Sequence, residues 1–159
     1  MQIRILCVGK IKEAFYRDAI AEYGKRLSRY ARLQIIEAAD ERTPENLSSR
    51  VAADVKRREG ERILAQVRDS DYVIALAIEG VSYDSVGLSE HLGSLMSRGA
   101  STIDFVIGGS LGLSPEVMRR ANETLSFSKL TFPHQLMRVI LLEQIYRSFR
   151  ILNHEPYHK

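Results

Sequence analysis

The sequence predicts an α/β fold, a mainly parallel sheet with flanking helices, and three observations carry that prediction. Short runs with strand periodicity alternate along the chain with longer runs of helical periodicity. Residues Tyr72 to Ile78, YVIALAI, form a nearly continuous apolar run, which is how a strand reads when both faces of its sheet are covered. No repeat, low-complexity stretch or linker interrupts the 159 residues, so they are read as one domain spanning 1–159.

Taken in order, residues 2–8 (QIRILCV) alternate into a strand closed by Gly9-Lys10. Residues 13–28 carry Phe15, Ala19, Ile20, Tyr23 and Leu27 at helical spacing. Leu33 to Glu37 is a second short strand. The polar stretch DERTPEN leads into a helix over about 47–67, with Asn46 or Ser48 as N-cap. That helix is thinly apolar, and its middle, Lys56 to Arg62, is expected to be exposed or frayed. The strand 72–78 is followed by EGVSYDS as a loop and by a helix from Ser85 to Arg98. Ser101 to Ile107 is the next strand, ending in a glycine-rich turn and a short helix within GGSLGLSPEVMRRA. Leu125 to Phe127 is a short extended segment. A long helix then runs from His134 to Leu152, with Pro133 in its first turn.

That last helix is unusual. Eleven of its positions are apolar, and Val139, Ile140, Leu141 and Leu142 follow one another, covering nearly the whole circumference. A surface helix needs an apolar stripe only about 100° wide. The helix therefore requires a second apolar neighbour besides its own sheet, and a second copy of the chain is the expected one, as a homodimer.

Charge is segregated along the chain. Residues 1–32 hold eight Lys/Arg against three Asp/Glu, residues 33–128 ten against fifteen, and residues 129–159 five against two. Basic ends around an acidic middle suit a surface that meets a polyanion. No apolar run reaches the roughly 18–20 residues a membrane span needs. The start, MQIRILCVGK, alternates like a strand and lacks signal-peptide architecture, so a cytoplasmic protein is expected. Cys7 is the only cysteine, which excludes an intramolecular disulfide and a cysteine cluster. Pro156 breaks any helix that would align the two imidazoles of HEPYH, so no metal is expected.

Ligands of open α/β sheets bind beyond the carboxyl ends of the strands. There VIGGSLGL places Gly108, Gly109 and Gly112, but it is not the dinucleotide fingerprint, and no P-loop is present. A backbone that approaches a ligand closely remains a reading of this loop. The stretch SFSKLTFPHQLMRV interleaves the hydroxyls of Ser126, Ser128 and Thr131 with apolar side chains at the mouth of the most apolar helix. It reads either as a ligand loop or as a helix entrance with capping hydroxyls. His134, at a helix start, reads as a solvated or capping residue ahead of a catalytic one.

Five segments, ILCVGKIK, EYGKRLSRY, FVIGGSLGL, LSFSKLTFPHQLMRVILLEQIYRSF and the closing PYHK, together resemble the ribosomal large-subunit RNA methyltransferase H family. This family belongs to the SPOUT class of knotted methyltransferases. The resemblance spans essentially the full chain and is loose only over about 40–70. It implies a C-terminal trefoil knot, a homodimer, and S-adenosyl-L-methionine bound in the knot. It further implies methylation of N3 of a pseudouridine in 23S rRNA on the assembled ribosome. By the same resemblance the cofactor is held by Leu76, Gly108 and the segment Phe127, Ser128, Lys129, Leu130, Thr131 and Phe132. Tyr157, His158, Lys159 and Arg138 are implied around the reaction, the tail reaching the other subunit's site. Two alternatives are a nucleotide-responsive RNA- or ribosome-binding protein without chemistry, and a small enzyme acting on a free nucleotide.

Overall fold

A computed structural model describes all residues 1–159. The elements run β1 (Gln2–Val8), α1 (Ala14–Leu27), β2 (Arg32–Ala38), α2 (Ser49–Leu64), β3 (Tyr72–Ser82), α3 (Ser85–Ser97), β4 (Thr102–Ile107), α4 (Pro115–Arg120), β5 (Glu123–Ser126) and α5 (His134–Leu152). The five strands make one sheet in the order β2-β1-β4-β3-β5, and every pair is parallel.

Strand alternation divides the core between the two faces. On one face Ile3, Ile5 and Cys7 of β1, Phe105 of β4 and Ile74 of β3 pack beneath Leu27 of α1, Leu88 and Leu92 of α3, and Leu141, Leu142, Ile145 and Phe149 of α5. On the other, Leu6, Val8, Val73 and Val106 meet Ile63 of α2 and Val117 of α4. Each such fully buried side chain contributes roughly 1.5–3 kcal/mol before chain entropy is counted. The second face also buries charge. Arg4 stands opposite Asp104 in the β1–β4 register, and its guanidinium lies 2.9 Å from Asp71 and 3.4 Å from Asp104.

Several expectations change. β3 does not stop at Ile78: it continues to Ser82, and its pairing with β5 resumes at Val81–Leu125 after an irregularity beyond Leu76. Gly80 permits this, because a Cβ there would lie 2.7 Å from the backbone of Leu125. The middle of α2 is neither frayed nor fully exposed, since Glu59, Gly60 and Ile63 are buried. Ser48, not Asn46, caps that helix, accepting from the Val51 N–H. Pro133 is the N-cap residue of α5 and lies just outside its first turn. Along α5 the stripe Arg138, Leu141, Leu142, Ile145, Ser148 and Phe149 is buried within the chain, while Leu136, Val139 and Ile140 are only half-buried.

Candidate functional site

The carboxyl ends of β3, β4 and β5 open onto a cavity of about 490 Å³ lined by 20 residues, 12 of them hydrophobic. Leu76 to Glu79 form one wall, Ile107 to Leu113 a second, and the β5–α5 connection a third. Size and lining suit a small organic ligand.

The glycine loop is shaped by contact. A Cβ on Gly108 would sit 2.8 Å from the carbonyl carbon of Gly112, and Gly112 itself has φ of 88°. Gly108 thus allows the loop to close on itself at the cavity wall, and Gly112 reverses the chain in a conformation that side chains resist. Beyond it the buried Ser114 caps α4, accepting from the Val117 N–H at 3.3 Å, with Pro115 as the first helical residue.

The connection between β5 and α5 is held by its own hydroxyls. Ser126 Oγ donates to the Ser128 carbonyl at 3.2 Å, and Ser128 Oγ accepts from the Leu130 N–H at 3.0 Å. These hydroxyls fold the loop, a role nearer to the capping reading than to ligand donors. The turn brings Phe127, Ser128, Leu130, Thr131 and Phe132 to the cavity together with Leu76 and Gly108. Lys129, from the same segment, is not among the lining residues. Leu130 is 70% exposed despite its apolar side chain.

Among the lining residues that sequence reasoning did not assign to the cofactor are Glu79, Met137 and, above all, His134. The His134 Nδ1 is buried without a hydrogen-bond partner. Burial, then the neighbouring Arg138 charge, hold its imidazole below the ordinary histidine range, with Asp40 and Glu13 pulling weakly the other way. The Pro133-His134 pair at a loop–helix junction was the available signal.

Arg138 has a different environment from the one expected of a group beside a reaction. It is 1% exposed; its guanidinium donates to the carbonyls of Val8 and Gly9 at 2.7 and 2.8 Å and to Glu37 at 2.9 Å. It ties α5 to the carboxyl ends of β1 and β2, satisfying orphan carbonyls at a strand end.

The tail is ordered against α5. Tyr157 Oη donates to Glu143 at 3.1 Å, and the Arg147 guanidinium lies 4.6 Å from the Tyr157 ring centre and 3.3 Å from His158 Nδ1. Burial, and then the bond to Glu143, push the Tyr157 hydroxyl above its ordinary range. Lys159 is exposed. Glu143 is nine residues along α5 from His134, roughly 13 Å of helix rise. Within one chain, Tyr157, His158 and Lys159 are therefore absent from the cavity wall that holds the predicted cofactor residues.

No helix is long and apolar enough to cross a membrane, and no group of three or more His, Cys, Asp or Glu could hold a metal ion. Cys7 is buried in the core, which pushes its thiol up to about 11 and leaves it unreactive.

Over their full lengths the chain is 60% identical to the ribosomal RNA large subunit methyltransferase H of Bifidobacterium animalis subsp. lactis. It is 58% and 57% identical to the proteins of that name from Bacillus cytotoxicus and Lacticaseibacillus casei, again with 100% of each chain covered. Among solved structures, it resembles a methyltransferase of Legionella pneumophila described in complex with the cofactor SAM, with TM-score 0.50 and 10% identity, over 94% of this chain and 66% of that one. A methylase-family protein from Haemophilus influenzae gives TM-score 0.50 at 12% identity, over 96% of this chain and 66% of the other. At such identity these two speak for the fold alone. The family model described as "Predicted SPOUT methyltransferase" matches residues 1–158, and with it the whole-chain relatives establish that this chain belongs to the SPOUT methyltransferase family.

Proposed function

We propose that this protein transfers a methyl group from S-adenosyl-L-methionine to N3 of a pseudouridine in 23S rRNA, acting as a homodimer on the assembled ribosome. The observation that carries the reading is the cavity: seven of the eight residues named from sequence for the cofactor line it, at the ligand-binding edge of the sheet. The names of the relatives support the rRNA substrate.

The residues fit an adenosyl group. Leu76, Phe127, Leu130 and Phe132 offer apolar surface to a purine, and the loop closed at Gly108 brings backbone polar groups within reach of the ligand. The exposed Leu130 gains a partner when the cavity is filled. The cofactor supplies an already activated methyl group, so the protein's work is binding, orientation and management of the N3 proton. Lys129, outside the cavity wall, is free for a phosphate. In this reading the β5–α5 connection and the loop after β4 are the parts of the knot.

The half-buried face of α5, with Leu136, Val139 and Ile140, is the surface for a second copy. In that pairing the tail of one subunit serves the cavity of the other. Tyr157 orients the base, while His158 and Lys159 take the proton or stabilise the developing anion. Arg138 acts as a positioning residue that sets the entry of α5 beside the cavity.

Calorimetric titration with S-adenosyl-L-methionine, paired with methyl transfer to intact ribosomes and to free nucleosides, tests the reading. The expected result is saturable binding with transfer to ribosomes alone. Binding without transfer would favour an RNA-binding protein, and transfer to nucleosides a small-molecule enzyme.

A further inference from the structure

The β1–α1 connection and the first turn of α1 leave three cations unpaired. Lys10, Lys12 and Arg17 are exposed, and none has a carboxylate oxygen within 4.0 Å, although Glu13 and Asp18 belong to the same segment. Farther along, Arg26 and Arg29 are engaged by Glu22 and Glu155. The Arg17 guanidinium instead donates to the Lys12 carbonyl at 2.9 Å, which folds its charge back over the connection. Among these cations stands Phe15, 65% exposed; of the large apolar side chains only Leu130, on the cavity wall, is more open. Helix α1 turns Ile20, Tyr23 and Leu27 to the core and leaves Phe15 off that face, its ring centre 4.3 Å from that of Tyr16. The segment also borders the cavity. Arg138 donates to the Gly9 carbonyl at 2.8 Å, and the charge of Glu13 reaches the His134 imidazole on the cavity wall.

We propose that Lys10, Lys12, Arg17 and Phe15 form a contact surface for single-stranded RNA, where the strand flanking the methylated nucleotide is held beside the cavity. The assignment rests on the rRNA methyltransferase reading above and names where the substrate's strand lies. Unpaired cations meet phosphates without first giving up a carboxylate. A nucleotide whose base reaches the cofactor must leave its stack, and the neighbours it abandons need another flat apolar surface. The open face of Phe15 offers one, and stacking of this kind accepts any base. A second copy of the chain is a poorer match, because protein interfaces are depleted in lysine.

Three variants of the full-length protein test this on ribosomes from cells that lack it. Lys10→Gln combined with Lys12→Gln should raise KM for ribosomes by roughly tenfold or more, with kcat near the wild-type value. It should also reduce the slope of log KM against log salt by about 1.4, two phosphates at about 0.7 each. Phe15→Ala should raise KM by roughly 5- to 150-fold, and Phe15→Tyr, which keeps the ring, should stay near wild type. Calorimetric affinity for S-adenosyl-L-methionine should be unchanged in all three. An unchanged KM in the lysine variant or in Phe15→Ala, or equal losses in Phe15→Ala and Phe15→Tyr, would overturn the surface. So would a halved mass of Phe15→Ala in light scattering, which would give the patch to a second copy. Wild-type protein that co-sediments with ribosomes but transfers no methyl group would instead remove the methyltransferase reading, and co-sedimentation of the same variants would still decide the surface.

Discussion

Replacing Asp104 by asparagine should abolish a pH dependence of stability that runs opposite to that of most carboxylates. Asp104 is wholly buried on the α2–α4 face of the sheet and shares Arg4 with Asp71. Burial works to raise Asp71 too, but the backbone N–H and guanidinium of Arg68, together with Arg4, hold it below the ordinary carboxylate range. Asp104 has less help. Its burial, opposed by the charge of Arg4 and reinforced by Asp71, pushes its carboxyl up to about 7. The folded chain therefore keeps a proton that the unfolded chain, with a carboxyl pKa of about 3.9, has already lost. The stabilisation tied to that proton is fully present below the unfolded value and is lost as pH rises through about 7. Each unit of difference corresponds to about 1.4 kcal/mol, so between about pH 5 and pH 8 this group withdraws about 2–3 kcal/mol. The asparagine of the variant cannot titrate. Urea unfolding of wild type and Asp104→Asn across that range should show the variant gaining on the wild type by that amount as pH rises. A stability difference independent of pH would refute a proton held on Asp104 beside Arg4 and Asp71.

Three further outcomes follow from the same geometry. Gly108→Arg should abolish binding of S-adenosyl-L-methionine in calorimetry with the circular dichroism of the fold retained, because even a Cβ meets the Gly112 backbone and the rest of the side chain enters the cavity; unchanged affinity would remove Gly108 from the site. Leu142→Glu should prevent folding rather than merely separate subunits, since Leu142 is 0% exposed within the single chain and an unpaired carboxylate there costs several kcal/mol; a folded, soluble variant by circular dichroism would contradict that placement. Deleting Tyr157 to Lys159 should leave cofactor affinity nearly intact and remove most ribosome methylation, and mixing with a Gly108→Arg subunit should restore part of it. No recovery despite demonstrated subunit exchange would exclude a shared site.

Much of this was legible in the sequence because the signals were local. Strand alternation around Ile3, Ile5 and Cys7, and the continuous run YVIALAI, gave strands that the structure contains. The mixture of hydroxyl and apolar groups from Phe127 to Phe132 marked the cavity's third wall. What stayed hidden depends on distant parts of the chain. Gly80 reads as a turn residue until β5 lies against it. Arg138 is implied around the reaction by resemblance, and only the fold brings the ends of β1 and β2, 130 and 101 residues away in sequence, beneath it. His134 reads as a helix-start residue, and only burial reveals its unpaired nitrogen. The tail, PYHK, matched a functional block, yet its packing on Glu143 and Arg147 rather than at the cavity comes from the fold. The half-exposed apolar face of α5 belongs with these cases, since periodicity shows an excess of apolar surface but not which side the chain itself covers.

The most direct test is mass spectrometric mapping of 23S rRNA from cells that lack this protein, before and after the purified protein and S-adenosyl-L-methionine are added to their ribosomes. The account predicts one pseudouridine lacking a single methyl group in those cells, with that mass restored at N3 by the wild-type protein and not by the tail-deleted one. A 23S rRNA with the same modification pattern in the presence and absence of the protein would contradict it.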